Sequence, residues 1–267
     1  MTKKIHYCWF GGNPLPELAL KCIASWKKYC PDYEIVEWNE SNFDVHSCDY
    51  IREAYEAKKW AFVSDYARFR ILYEEGGLYF DTDVELIRPL DEIVAAGNFL
   101  GREEESVPSD APGRGIGVNP GLGMGAEPGL AFYREQLDAY RTRHFTREDG
   151  SYNLKTVVDY TTEALHKHGL TNRNDVQTVA GITVYPKEYF CPMDYISGEL
   201  HITDQTCSIH HYSASWHNEK EKRAFELQRK FSRHLPRRLS SILGTFFATV
   251  RYDGFFAALK WAFRRRK

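Results

Sequence analysis

The stretch that most restricts the fold is "WAFVSDYARFRILYEEGGLYFDTDVEL", residues 60 to 86. Its first part places Phe62, Tyr66, Phe69 and Tyr73 at helical spacing, an apolar stripe that asks to be buried. Gly76 and Gly77 end that helix, and "LYFDTDVELI" follows as a strand closed by Pro89. A long helix feeding a strand through two glycines is a piece of a βαβ unit. The strand carries an oddity, however. Asp81 and Asp83 stand two positions apart with Glu85 behind them. Aspartate is a poor strand former and is almost never buried unless it is paired or bound to metal. Either the chain surfaces here or these carboxylates have a partner.

The rest of the chain extends the alternation. "KIHYCWF" (4–10) and "YEIVEW" (33–38) read as strands, separated by a helix in "ELALKCIASWKKYC" that Pro31 stops. "DYIREAYEAKK" reads as a helix ahead of the one at residue 60. Later come helices in "LAFYREQLDAYRTRHF" and "LKTVVDYTTEALHKHG", and short strands in "GITVYP" and "CSIHHYS". Residues 108–129, dense in glycine and proline, read as loop. Strands alternating with helices predict an α/β fold with a mainly parallel central sheet. One domain is expected over residues 1–220, followed by a basic helical tail over 221–267.

Composition narrows the function. The 267 residues carry a net charge of -2, which gives no general attraction to nucleic acid. Aromatics make up 15%, enough for ring-stacking surfaces, although a tyrosine-rich core accounts for them equally well. The 6 cysteines show no C-x-x-C spacing, so neither a zinc ribbon nor a redox motif is indicated, and buried thiols of a reducing compartment are expected. The apolar run at the N-terminus breaks at Gly11-Gly12, too short for a signal peptide, and no segment reaches the length of a spanning helix. A cytoplasmic catalytic body is expected.

Two carboxylates at i and i+2 of a strand point the same way, with Cα atoms roughly 6.5 Å apart. Hard oxygen donors so placed suit Mg²⁺ or Mn²⁺ shared with a phosphate. The C-terminal end of a parallel strand is also where open α/β sheets bind ligands. D-x-D alone is common, and a solvated strand end explains it as well. Asp65 and Arg68, at i and i+3 of the preceding helix, add weight. They are either an intrahelical ion pair or a pair that holds sugar hydroxyls, the acid accepting and the arginine donating.

With these residues in view, "KWAFVSDYARFRILYEEGGLYFDTDVEL" resembles the core signature of glycosyltransferases with a DXD sugar-binding region. That group includes bacterial capsular and exopolysaccharide transferases, yeast initiating mannosyltransferases and, more distantly, the clostridial glucosylating toxins. "IHYCWFGG" (5–12) resembles its opening strand and "IHHYSASW" (209–216) its closing motif. The resemblance implies a GT-A-type fold and transfer of a hexose from a UDP- or GDP-linked donor, with retention, to a glycan or lipid-linked glycan acceptor. Bacterial capsule, exopolysaccharide or O-antigen synthesis is the implied setting. It implies that Trp9, with Tyr7 beside it, meets the nucleotide base, that Asp65 and Arg68 hold the sugar, that Asp81 contacts ribose and metal, and that Asp83 is a direct ligand of Mn²⁺ or Mg²⁺. The closing motif would add a ligand, with His211 as candidate and His210 and Ser213 as alternatives. Ser215 and Trp216 would bind the donor, Trp216 near its pyrophosphate. Asn119 would face the acceptor or form an Asn-Pro turn.

Three other readings compete. "GLGMGA" (121–126) fits a dinucleotide fingerprint but follows Pro120 rather than a strand. A haloacid-dehalogenase-like phosphatase also carries D-x-D after an apolar strand. A non-catalytic nucleotide-sugar-binding membrane adaptor would need no acceptor site. The tail bears on the last of these. "RRLSSILGTFFATVRYDGFFAALKWAFRRRK" (237–267) interleaves aromatics with bases and contains one acid, Asp253. Such a segment is expected to lie on an anionic membrane, which would place the protein peripherally on the inner face of the cell membrane.

Overall fold

A computed structural model describes residues 1–103, 117–195, 197–213 and 219–264. In chain order the described elements are β1 (Lys4–Cys8), α1 (Glu17–Tyr29), β2 (Glu34–Trp38), α2 (Asp49–Glu56), α3 (Trp60–Glu75), β3 (Gly77–Tyr79), β4 (Val84–Leu86), α4 (Asp91–Ala95), β5 (Phe99–Glu103), β6 (Gly117–Val118), β7 (Met124–Ala126), α5 (Ala131–Arg141), α6 (Val157–Lys167), β8 (Gln177–Val179), β9 (Ile182–Tyr185), α7 (Lys187–Phe190), β10 (Ser208–His210), α8 (Glu219–Ser232), α9 (Arg237–Asp253) and α10 (Phe255–Arg264). They fall into two compact units. One comprises Met1–Pro192 and Ile202–His211, the other Met193–His201 and Tyr212–Lys267.

The first unit is built on a sheet of order β2-β1-β3-β7-β5-β9-β8, with β6 paired to β5. β1 lies parallel to both β2 and β3, and β5 lies parallel to β9. β7 runs antiparallel between β3 and β5, so β2, β1, β3, β5 and β9 share one direction. This is a mainly parallel α/β sheet, as the alternation of strands and helices predicts. The chain leaves β1 for β2 on one side, then returns through α2 and α3 to β3 on the other. The C-terminal ends of β1 and β3 therefore flank a switch point, where a crevice opens in sheets of this kind.

α3 is buried well beyond its predicted stripe. Val63, Ala67, Ile71 and Leu72 are interior along with the aromatics, and so are Asp65 and Arg68. Its exit needs glycine. Gly77 has φ +93, and a Cβ there would stand 2.7 Å from the Lys4 carbonyl oxygen, so only glycine lets β3 start beside β1. Much of the aromatic content is core: Trp26, Tyr50, Tyr79, Tyr133, Tyr140 and Phe69 are fully buried, many in edge-on pairs such as Tyr50 and Tyr140 at 4.9 Å.

Two expectations fail locally. The aspartates are not on a strand: β3 stops at Tyr79 and β4 begins at Val84, in a separate two-stranded sheet with β10. Between them the Val84 amide donates to the Asp81 carbonyl at 3.0 Å, so Asp81–Val84 is a tight turn. The described part of the glycine-rich stretch is not all loop either, since it supplies β6 and β7.

The second unit contains α8, α9 and α10. α9 packs closely on α8: a Cβ at Gly244 would lie 2.6 Å from the Ala224 carbonyl oxygen. Tyr195 packs against Tyr212 and Phe225, and Arg229 Nε donates to the Tyr195 carbonyl at 3.2 Å.

Candidate active site

The polar centre of the first unit is Arg68. Its Nη2 lies 3.2 Å from Asp65 Oδ1 and 3.2 Å from Asp81 Oδ1, joining helix α3 to the turn after β3. Its Nε donates to the Ser64 carbonyl at 3.0 Å, and the guanidinium sits 5.1 Å from the centroid of the Tyr79 ring. The Tyr79 hydroxyl donates to the same Asp81 oxygen at 3.1 Å. Burial alone would pull Arg68 down, but Asp81, Tyr79 and Asp65 outweigh it, so the guanidinium stays charged with a raised pKa. Asp65 is pushed up to about 7, chiefly by burial, with Arg68 opposing and Asp81 adding to the rise. Two acids thus share one fixed cation.

Asp81 owes its place to a glycine. Its amide donates to the Gly121 carbonyl at 3.1 Å, and a Cβ on Gly121 would fall 2.1 Å from Asp81 Oδ2. Gly123 and Gly125 likewise leave room for Phe80 and Phe99. This role of Gly121 was not read from the sequence, yet the signal is there. Glycines at 121, 123 and 125 have the period of a strand, which marks one face approached closely by other side chains. The same fact removes the dinucleotide reading, because "GLGMGA" runs into β7 rather than into a helix. Asn119 takes the turn role: Oδ1 accepts from the Gly121 amide at 2.7 Å while Nδ2 donates to Glu103 Oε2 at 2.8 Å.

Asp83 meets the closing motif. β10 pairs antiparallel with β4, setting His210 opposite Val84, and the His211 amide donates to the Asp83 carbonyl at 3.0 Å. His210 Nε2 lies 3.2 Å from Asp83 Oδ1. Burial lowers the affinity of this imidazole for a proton, but the Asp83 charge and contact reverse that and leave its pKa raised. His211, the candidate third ligand, points elsewhere: its Nε2 is 2.8 Å from Glu85 Oε2, which also receives Lys21 Nζ at 2.8 Å. Alternation along a strand explains the exchange, since neighbouring side chains face opposite ways. His210 is the histidine at the DXD turn.

Trp9 directly follows β1 and is half-buried, its Nε1 donating to the Asn13 carbonyl at 2.6 Å. It stands at the end of β1 as Asp81 stands past the end of β3, one on each side of the switch point. Tyr7 is a correction. It is buried edge-on against Trp26 at 5.8 Å, and its hydroxyl donates to Glu37 Oε2 at 2.6 Å, so its ring belongs to the core. Ser215 and Trp216 lie outside the described residues.

Among the described residues no group of three His, Cys, Asp or Glu side chains is arranged to hold a metal ion. The donor chemistry still fits a hard divalent cation of one kind. Mg²⁺ and Mn²⁺ accept one or two carboxylates when substrate phosphates and water fill the other positions, and Asp81 with Asp83 supplies such a pair.

Comparison with known proteins gives a family match over part of the chain. Residues 16–100 match the family described as "Glycosyltransferase sugar-binding region containing DXD motif". Over that range the chain is similar to the sugar-binding region of DXD glycosyltransferases. The matched range contains Asp65, Arg68, Asp81 and Asp83, while Trp9 and the histidines of β10 lie outside it. Over 128 residues the chain is 27% identical to "Subversion of eukaryotic traffic protein A" of Legionella pneumophila, an alignment covering 38% of this chain and 20% of that protein. The chain thus spans about a fifth of that relative's length. Among solved structures it is similar to "PaToxG Glycosyltransferase", at 20% identity and TM-score 0.45, covering 62% of this chain and 69% of that one. It is also similar to a glycosyltransferase involved in glycosylation of the major capsid of PBCV-1, at 11% identity and TM-score 0.41, covering 90% and 98%. The fold is read from this chain's own strand order.

Proposed function

We propose that the protein is a metal-dependent, retaining hexosyltransferase that uses a UDP- or GDP-linked sugar and a glycan acceptor in the synthesis of a bacterial surface polysaccharide. The observation that carries this is the placement of Trp9 and the Arg68-linked aspartates on either side of the β1/β3 switch point. A nucleotide sugar needs an apolar ring for its base, hydrogen-bonding groups for its sugar and positive charge for its diphosphate. Trp9 offers the first by stacking. Asp65 accepts from sugar hydroxyls while Arg68 donates and fixes the acid's orientation.

Asp81 and Asp83 would hold the divalent ion, which when bound offsets charge developing on the diphosphate leaving group. Tyr79 and Arg68 keep Asp81 Oδ1 oriented, leaving Oδ2 toward Gly121, so the carboxylate serves as an anchored ligand. His210 orients Asp83 in the same manner. Anchoring both acids before substrate arrives lowers the ordering cost of the productive complex.

The test is transfer and slow donor hydrolysis across a panel of UDP- and GDP-sugars, with Mn²⁺, Mg²⁺ or EDTA. Asp83→Asn is expected to unfold at the temperature of the unaltered protein and to lose most activity. If Asp83→Asn and Asp81→Asn both work at full rate in EDTA, the metal-dependent mechanism is wrong.

A further inference from the structure

The second unit carries a surface that the transfer reaction does not use. Five of the six exposed aromatics among the described residues lie on α9 and α10 or their junction: Phe247, Tyr252, Phe255, Phe256 and Phe263. Phe256 and Phe263 are 85% and 64% exposed. Isolated exposed apolar residues are ordinary, but a clustered group marks an interaction surface.

The packing shows why this side stays open. α9 turns its small residues inward, with Ser240, Gly244 and Ala248 buried at successive turns. On α10 the buried residue is Ala258. Phe256 and Phe263, seven residues apart on a helix, share the side away from it, with Lys260 between them. Large residues face out and small ones in, the reverse of a helix pair that ends in water.

Charge selects the partner. Residues 237–267 contain eight bases and one acid. That acid, Asp253, is paired with Lys220. On α8 two of the acids are also engaged, Glu219 with Lys222 and Glu226 with Arg223. The aromatic side is therefore set among uncompensated cations such as Arg238, Arg251 and Lys260. No described helix is long and apolar enough to cross a membrane. Exposed aromatics, basic surroundings and insufficient length together describe helices lying in a lipid interface, rings at the acyl boundary and bases on anionic headgroups.

We propose that α9 and α10 dock the protein on an anionic lipid surface through Phe256, Phe263 and the flanking bases. The docking does not depend on the chemistry of the first unit, and the two fail separately. The experiment is flotation of the full chain with vesicles of phosphatidylcholine, alone or mixed with phosphatidylglycerol. The full chain should float with the mixed vesicles at low salt and be released at high salt. Phe256→Ser/Phe263→Ser should lower vesicle binding about tenfold or more while keeping thermal unfolding and donor hydrolysis unchanged. Failure of the full chain to float at low salt overturns the proposal, as does a double variant that floats like the parent. A concentration-dependent dimer abolished by the double variant, or tight binding to nucleic acid, in either case without flotation, overturns it in favour of that other partner.

Discussion

Gly121→Ala isolates the placement of Asp81 without touching its chemistry. The new Cβ would stand 2.1 Å from Asp81 Oδ2 and 3.0 Å from Asn119 Oδ1, whereas ordinary contact begins at 3.4 Å. The carboxylate must retreat by about 1 Å, because the backbone of β7 is fixed by its pairing with β3 and β5. Asp81 Oδ1 sits 3.2 Å from Arg68 and 3.1 Å from Tyr79, so a shift of that size breaks or badly lengthens both contacts. Charge-assisted hydrogen bonds are each worth roughly 1.5–3 kcal/mol, but this carboxylate is partly exposed and water replaces some of the loss. A net destabilisation of about 1–2 kcal/mol is expected in urea unfolding. Misplacing a reacting group by ~1 Å costs on the order of 100-fold in rate, so hydrolysis of the best donor should fall by about that factor. Asp81→Ala in the same background removes the clash together with both contacts, so it should relieve the strain but restore neither those contacts nor the activity. A Gly121→Ala protein with activity within about threefold of the parent would show that this placement of Asp81 does not govern the reaction.

Two further outcomes follow from the buried charges. Arg68→Lys cannot reach both Asp65 and Asp81, so it should bind free UDP or GDP within about threefold of the parent while losing turnover of the nucleotide sugar. Equal losses for both ligands, measured by calorimetry and hydrolysis, would make Arg68 a structural ion-pair residue only. His6 is fully buried, accepts from Trp38 Nε1 at Nδ1 and meets the Gly76 carbonyl through Nε2. Its pKa is lowered from 6.5 to about 4, mainly by burial, with Lys4 pushing the same way and Glu75 opposing. Between these values the unfolded chain binds the proton and the folded one does not. The stability this neutral histidine contributes is therefore complete above pH 6.5 and fades as pH falls toward about 4, by up to roughly 3 kcal/mol. His6→Gln should flatten the pH dependence of urea midpoints over that window; an unchanged slope would refute the assignment.

The parts of the fold that bury apolar surface were readable, and the parts set by close approach were not. α3 announced itself by its stripe and its glycine stop, and β1, β2 and β9 by their runs of β-formers. β5, "FLGRE", was missed because it is short and holds a glycine and a buried arginine, Arg102. The apolar run looks continuous from Leu78 to Ile87, so sequence alone puts the D-x-D on a strand. The structure breaks it at Phe80 because β3 belongs to one sheet and β4 to another, a division only tertiary pairing decides. The choice between His210 and His211 had the same origin. Period two says they diverge, but not which one faces Asp83.

The aspartates that look misplaced in an apolar run become intelligible once the break is seen. A continuous strand would have carried Asp81 and Asp83 into the sheet, where a buried carboxylate without a partner costs several kcal/mol. The turn instead brings them out at the end of β3, where an arginine from α3 and a histidine from β10 already wait. Arg68 meets two carboxylates with one charge, and His210 faces the second aspartate of the turn. Around Arg68 the acids outnumber the fixed cation, with Asp65 and Arg68 buried and Asp81 on the partly exposed turn. Burial raises Asp65 toward neutrality for the same reason, since one guanidinium cannot fully compensate two acids. On the proposed reading, a site left short of positive charge, beside a half-buried indole and at the switch point of the sheet, would be completed by a divalent cation arriving with its substrate.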